Sequence, residues 1–136
     1  MAPQIAKPLP IPTLETRPYW DGCKRHELRI QRCAACSHFQ FYPRLYCTGC
    51  FSDRVEWITA SGRATVLSFT IVRRPVSQAF KDDLPYVVAL VTLEEGPSMM
   101  TNIVGCAPEQ VAIGMPLKVT FEDWSEEISI AKFRPA

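Results

Sequence analysis

Only two histidines, His26 and His38, occur in this 136-residue chain, and both lie in its N-terminal third. A nucleophilic cysteine needs a base nearby, so a thiol enzyme has little to draw on here. Also missing are a nucleotide-binding glycine-rich loop, a G-x-S-x-G elbow and a carboxylate pair with a supporting histidine. Charge of one sign is not in excess either: 15 Lys and Arg against 14 Asp and Glu leave a net +1. A protein built to follow phosphate backbones is far more basic. No stretch approaches the roughly 18 apolar residues of a membrane span, and the N-terminus lacks the basic-then-apolar layout of a leader, so a cytoplasmic protein is expected. The length suffices for one domain, or for a small module joined to a modest core.

Cysteine is present in an informative pattern. Four of the six fall in two C-x-x-C pairs, Cys33 with Cys36 and Cys47 with Cys50, ten residues apart. Two residues between thiolates let both sulfurs point into one tight turn, and two such knuckles supply four soft ligands at tetrahedral geometry. One structural zinc in a reducing compartment fits this better than a disulfide framework. Iron bound by similar pairs is the alternative, with no surrounding feature that favours it. Four thiolates on one metal leave no open position for a bound water, so metal catalysis is not expected. The intervening segment, 37–46, is expected to form a short hairpin through Phe39–Phe41 with Pro43 at its bend.

The chain divides into three parts by pattern. Residues 1–15, with Pro3, Pro8, Pro10 and Pro12, read as an extended arm, mobile or docked on a partner. Residues 16–60 read as a short helix opened by Thr16 and Pro18, weakened by Gly22, and then the rubredoxin-like zinc ribbon. From residue 61 to 136 the period is two: Leu67, Phe69 and Ile71 on one strand face, an apolar run Tyr86–Leu93, a strand from Met99 to Val104, then Leu117, Val119 and Phe121, and a last strand Ile128–Phe133. A short helix from Pro108 to Ile113 interrupts them. Five strands with a helix between the third and fourth is the element order of an OB-fold barrel; a small sandwich is the alternative. The class is mainly β.

Cys23 and Cys106 read as small buried side chains, and His26 and His38 as surface groups. The acidic pairs Asp82-Asp83, Glu94-Glu95 and Glu126-Glu127 sit at expected loops and strand ends, as solvated surface. Phe39, Phe41, Tyr42, Tyr46 and Phe51, with Arg44 among them, could stack bases, which keeps single-stranded nucleic acid as an alternative partner. A ribbon this small also needs large side chains to cover its metal. The formal +4 of residues 17–54 falls to about +2 once a zinc tetrathiolate is counted.

The assembled pattern resembles the family of zinc-ribbon and OB-fold proteins associated with acyl-CoA enzymes. The resemblance is carried by Pro18-Tyr19-Trp20, Leu28 through Cys33, Pro43, Cys47 and Cys50, Trp57, Ser61 through Val66, Ser68-Phe69-Thr70, Pro85-Tyr86, Gly105 and Ile113-Gly114-Met115. Ser37 departs from it, since many relatives carry glycine after the first cysteine pair. The resemblance implies a non-catalytic subunit in a hetero-oligomer with a thiolase-superfamily enzyme: a thiolase, a hydroxymethylglutaryl-CoA synthase or a lipid-transfer-type steroid side-chain aldolase. The acyl-CoA site would be shared and the catalytic groups would belong to the partner.

In that setting Tyr19 and Trp20 are candidate interface anchors, because large aromatics dominate hot spots. Packing onto the protein's own ribbon or barrel is their other reading. Arg73 and Arg74, at the end of the first barrel strand, are candidates for CoA phosphates or an acidic partner surface.

Overall fold

The computed structural model describes residues 7–136. Pro3 and the start of the arm therefore lie outside the described residues. Residues 7–13 follow no regular element, as their prolines dictate, but Lys7 is not projecting outward. Its ammonium sits 2.7 Å from Asp83 and over the rings of Phe80 and Trp124, held against the chain's own barrel.

Helix α1 (Arg17–Lys24) has Pro18 in its first turn, where a missing N–H costs nothing. Thr16 stands at the N-cap position without a side-chain cap bond. Gly22, which weakens the helix by propensity, is there for contact: a Cβ on it would fall 2.3 Å from Arg29 Cγ and 3.0 Å from the Glu27 carbonyl oxygen.

A three-stranded sheet follows in the order β2 (Phe39–Gln40), β1 (Arg29–Cys33), β3 (Val55–Thr59), all antiparallel. The expected hairpin within residues 37–46 is not formed. Phe39 instead pairs back with Arg32, and the first cysteine knuckle is the turn of that hairpin, because its bonded loop already reverses the chain.

The second module is a closed barrel in the order β4 (Arg63–Val72), β5 (Tyr86–Leu93), β6 (Ser98–Ile103), β8 (Ser129–Pro135), β7 (Pro116–Asp123). The antiparallel ladders are closed by a short parallel contact between β6 and β8 at Ile103 and Phe133. A closed barrel removes edge strands, and the alternative of a sandwich is thereby set aside. Between β6 and β7 only Pro108–Gln110 is helical, a single 3-10 turn shorter than expected. Gly62, at the ribbon-to-barrel joint, takes φ +83°, and a Cβ there would lie 2.7 Å from Val119.

Alternation sets the barrel core, with Phe133, Val91 and Leu117 at most 1% exposed. One expectation fails. Leu67 does not share a face with Phe69 and Ile71, because a β-bulge between Val66 and Ser68 inserts it as an extra residue. Ala64 and Val66 point inward before the bulge, Phe69 and Ile71 are half-buried after it, and Leu67 is left 50% exposed.

Candidate metal centre

The sulfurs of Cys33, Cys36, Cys47 and Cys50 lie within 4.8 Å of one another. Cys33 and Cys50 are 3.7 Å apart and Cys36 and Cys47 3.6 Å apart. A tetrahedron with zinc–sulfur bonds of about 2.3 Å has edges of about 3.8 Å, so this spacing suits four thiolates on one ion. One cysteine of each pair is buried and the other exposed, so the site lies at the ribbon surface.

The two knuckles are built alike. In each, the N–H five positions into the turn bonds back to the first cysteine: Ser37 to the Cys33 carbonyl at 2.8 Å and Phe51 to the Cys47 carbonyl at 2.9 Å. The cysteine N–H groups bond forward to the His38 and Ser52 carbonyls, each at 2.8 Å. Amides also donate to sulfur: Ala35 and Cys36 to Cys33 Sγ at 3.3 and 3.4 Å, and Gly49 to Cys47 Sγ at 3.2 Å. Ser37 and Phe51 both take left-handed φ, 67° and 63°. The turn demands this backbone whatever the residue, so Ser37 alters the local cost and leaves the site intact.

These donors prepare the thiols unequally. The Cys36 N–H, opposed by burial and helped by the Ala35 N–H, brings the Cys33 thiol down to about 7. At Cys36 the His38 backbone favours the thiolate, but the Cys50 sulfur, burial and the remaining sulfurs push the group up to about 12. A metal entering such a site displaces protons.

Beneath the site, Gln31 and Gln40 bond to each other at 2.8 Å and to the 44–48 loop that presents Cys47. Both amides are buried and satisfied, a support the cysteine spacing does not announce. His38 bonds Thr48 at 3.1 Å.

Elsewhere, Cys23 is fully buried and burial pushes its thiol up to about 11, although the Tyr19 hydroxyl opposes the shift. Burial, with the Cys23 sulfur beside it, likewise holds the Tyr19 phenol well above 10. Cys106 is partly buried. Neither histidine bonds to Cys23 or Cys106 among the described residues. Tyr19 and Trp20 are half-buried, edge-to-face at 4.9 Å, and Tyr19 also meets Phe41. Arg73 faces Glu109 at 3.5 Å, with both side chains more than 60% exposed, while Arg74 is exposed. Of the aromatic set, Phe39 is half-buried under the Arg32 guanidinium, and Tyr42, Tyr46 and Phe51 are exposed.

His26 is more than a surface group. It occupies the position after the helix where glycine is preferred, with φ 60°. Its ring stacks on Phe121 of the barrel, 5.2 Å away and 10° from parallel, and Nε2 lies 2.9 Å from Asp123 Oδ1. Asp123 also accepts from Ser129 Oγ, and the His26 and Ser129 contacts lower its carboxyl pKa.

Comparison with known proteins agrees with this architecture. Residues 20–56 match the family model "ChsH2, rubredoxin-like zinc ribbon domain" and residues 57–122 match "ChsH2, C-terminal OB-fold domain". The chain is 36% identical over 134 residues to a probable enoyl-CoA hydratase alpha subunit of Thermomonospora curvata, covering 98% of this chain and 41% of the relative. To the 3-oxo-4,17-pregnadiene-20-carboxyl-CoA hydratase alpha subunit of Mycobacterium tuberculosis it is 40% identical over 119 residues, 85% of this chain and 37% of the relative. It thus spans about two fifths of the length of these two proteins. A DUF35 domain-containing scaffold protein of Methanothermobacter thermautotrophicus is 33% identical over 105 residues, 76% of this chain and 78% of that one. Among solved structures, a chain of the "Ltp2-ChsH2(DUF35) aldolase" superposes with a TM-score of 0.83 and 36% identity, over 93% of this chain and 98% of that one. The tetrahedron of sulfurs would accept iron as well as zinc; the zinc-ribbon match assigns zinc.

Proposed function

The chain belongs to the ChsH2 (DUF35) family, and from that premise we propose that it is a non-catalytic, zinc-stabilised subunit of an acyl-CoA-processing complex. Its partner is a thiolase-superfamily enzyme, in our reading one of the lipid-transfer type that cleaves a side chain by retro-aldol chemistry. The observation that carries this is the end-to-end likeness to a chain of an aldolase named for two components. The scaffold naming of other relatives supports it, and the hydratase subunit names point to acyl-CoA and steroid substrates.

The residues agree with an accessory role. All four ribbon thiolates are used to close one metal site, so no coordination position is left for substrate. Cys23 is buried with its thiol pushed up, the opposite of an activated nucleophile. We assign Tyr19 and Trp20 to the partner side of the molecule, and Arg73 and Arg74 to CoA phosphates or an acidic partner surface. Residues 1–15, 16–60 and 61–136 serve as arm, metal ribbon and barrel. Reduced thiolate ligands support a reducing compartment, in our reading the cytoplasm.

The test is co-expression with a lipid-transfer-type thiolase-superfamily protein. A stable complex on gel filtration is expected, with partner activity or solubility falling when this chain is omitted. The chain alone is expected to show no thiolase, hydratase or aldolase turnover. Separate elution at micromolar concentration, with the partner fully active by itself, overturns the reading.

A further inference from the structure

The barrel has two unlike outer faces. Strands β7 and β8 carry Lys118, Glu122, Asp123, Lys132 and Arg134, whereas β5 and β6 contain no charged residue at all. On that neutral face Leu90 stands directly opposite Met100, and Ser68 opposite Leu90 on the other side. The bulge in β4 sets Leu67 beside Ser68, so three large apolar side chains adjoin, exposed by 50, 39 and 64% for Leu67, Leu90 and Met100. Alternation from the inward Ala64 and Val66 turns Leu67 outward, and the bulge then resets the parity, so that Ser68 faces solvent as well and Phe69 and Ile71 turn inward.

The stripe continues, through Met100, into an open groove of about 680 Å³. Met100 and Val88 form its barrel wall, and Tyr19, Trp20 and Phe41 its ribbon wall. Four charged residues also line the groove, two of them from β7 and β8, and they cancel in pairs: Lys7 with Asp83 at 2.7 Å, and Lys132 with Glu122 at 2.9 Å. A surface whose β5 and β6 carry no charge, and whose groove charges are already paired and need no outside counter-ion, complements a surface that is itself uncharged. Met100, on its wall, is 64% exposed, so the groove opens to solvent there, which suits a protruding polypeptide ridge.

We propose that this face, Leu67, Leu90 and Met100 with the groove up to Tyr19 and Trp20, is the docking surface for a different polypeptide that presents an uncharged apolar ridge. The proposal rests on the accessory-subunit reading and deepens it by naming the face. It assigns Tyr19 and Trp20 to one wall of a larger surface whose exposed part belongs to the barrel.

The experiment uses the full chain and the lipid-transfer-type partner, with affinity measured by calorimetry. Met100→Glu and, separately, Leu90→Lys are expected to weaken the complex at least about 30-fold, the loss of a hot-spot contact. Lys118→Glu on the charged face is expected to stay within about threefold of wild type, as an exposed substitution outside the interface does. All three side chains point outward, so zinc content and thermal midpoint are measured alongside and should hold. A complex that keeps its affinity in both apolar-face variants overturns the docking face and leaves the accessory role standing. A wild-type chain that forms no complex strikes the accessory role and the proposal together. A concentration-dependent dimer of the chain alone, abolished by Met100→Glu, makes the occupant a second copy and overturns the proposal as stated.

Discussion

The ribbon and the barrel hold their shapes by different means. In the barrel five strands enclose Val87, Val91, Leu117 and Phe133, all nearly or fully inaccessible, and every ladder is secured by neighbours on both sides. The ribbon has a two-residue strand, β2, and its fully buried cysteines at the tip are ligands rather than core. Burial drives the first; in the second, coordination closes the tip while Leu28 and Ile30 at its base join the barrel's own core. At the tip the metal substitutes for a core that so small a module could not enclose by itself.

The largest expected effect separates the two. Cys36→Ser, or a chelator competent to strip zinc, removes a term on the order of 10 kcal/mol in small zinc peptides. The expected result is loss of metal and of ribbon amide dispersion in NMR spectra, with barrel resonances retained. Barrel resonances collapsing together with the ribbon would show that the two stabilise each other and break the distinction. Acid acts in the same direction: zinc needs thiolates, and Cys36 without metal holds its proton up to about 12, so zinc retention should fall as pH is lowered. Zinc retention against pH, read by a chromogenic indicator, checks the sign.

The converse is Phe133→Ala. Phe133 is wholly buried where β8 meets β6 and β7, and truncating such a side chain costs about 3–5 kcal/mol. Denaturant melts should show that loss in the barrel, while metal analysis still returns one zinc per chain.

Much of this was legible in the sequence because the signals are local. Two C-x-x-C pairs define a ligand set by spacing alone, and β5, Tyr86–Leu93, falls where its apolar run lies. The misreadings concern features that only the tertiary fold supplies. Leu67 fits a period-two face until a bulge shifts the parity. The ribbon hairpin forms around the knuckle because the bonded turn already reverses the chain, and Gly22 serves a close approach to Arg29 that propensity does not register. His26 meets residues 97 positions later, so nothing near it in the chain points to the contact.

That contact joins the two modules, and it offers a third test. His26→Ala loses the ring stacking on Phe121, worth about 0.5–1.5 kcal/mol, and keeps an unfavourable left-handed backbone. His26→Gly loses the same stacking but relieves the backbone. Thermal melts should therefore rank wild type and His26→Gly close together and His26→Ala below both. Asp123→Asn removes a carboxyl whose pKa is lowered in the folded state; its contribution is present above the unfolded value and fades as pH falls through the folded one. The variant should differ from wild type at neutral pH and converge with it in acid.

The smallest effect returns to the ribbon and asks how finely its turns are tuned. Ser37 adopts φ 67° immediately after Cys36, and Phe51 adopts φ 63° immediately after Cys50. A left-handed backbone costs a non-glycine residue about 1–2 kcal/mol. Glycine removes that cost but loses more conformational freedom on folding, about 0.5–1 kcal/mol. The difference favours Ser37→Gly by about 0.5–1 kcal/mol, less whatever the exposed Arg32-to-Ser37 hydrogen bond at 3.0 Å contributes. Because ribbon folding and metal binding are one equilibrium, the gain should be read as zinc held about two- to fivefold more tightly in competition with a chelator. The barrel melt should not move, since no barrel residue bonds to Ser37. A Ser37→Gly chain that loses zinc more readily would mean that the serine side chain, and not the backbone angle, governs this knuckle.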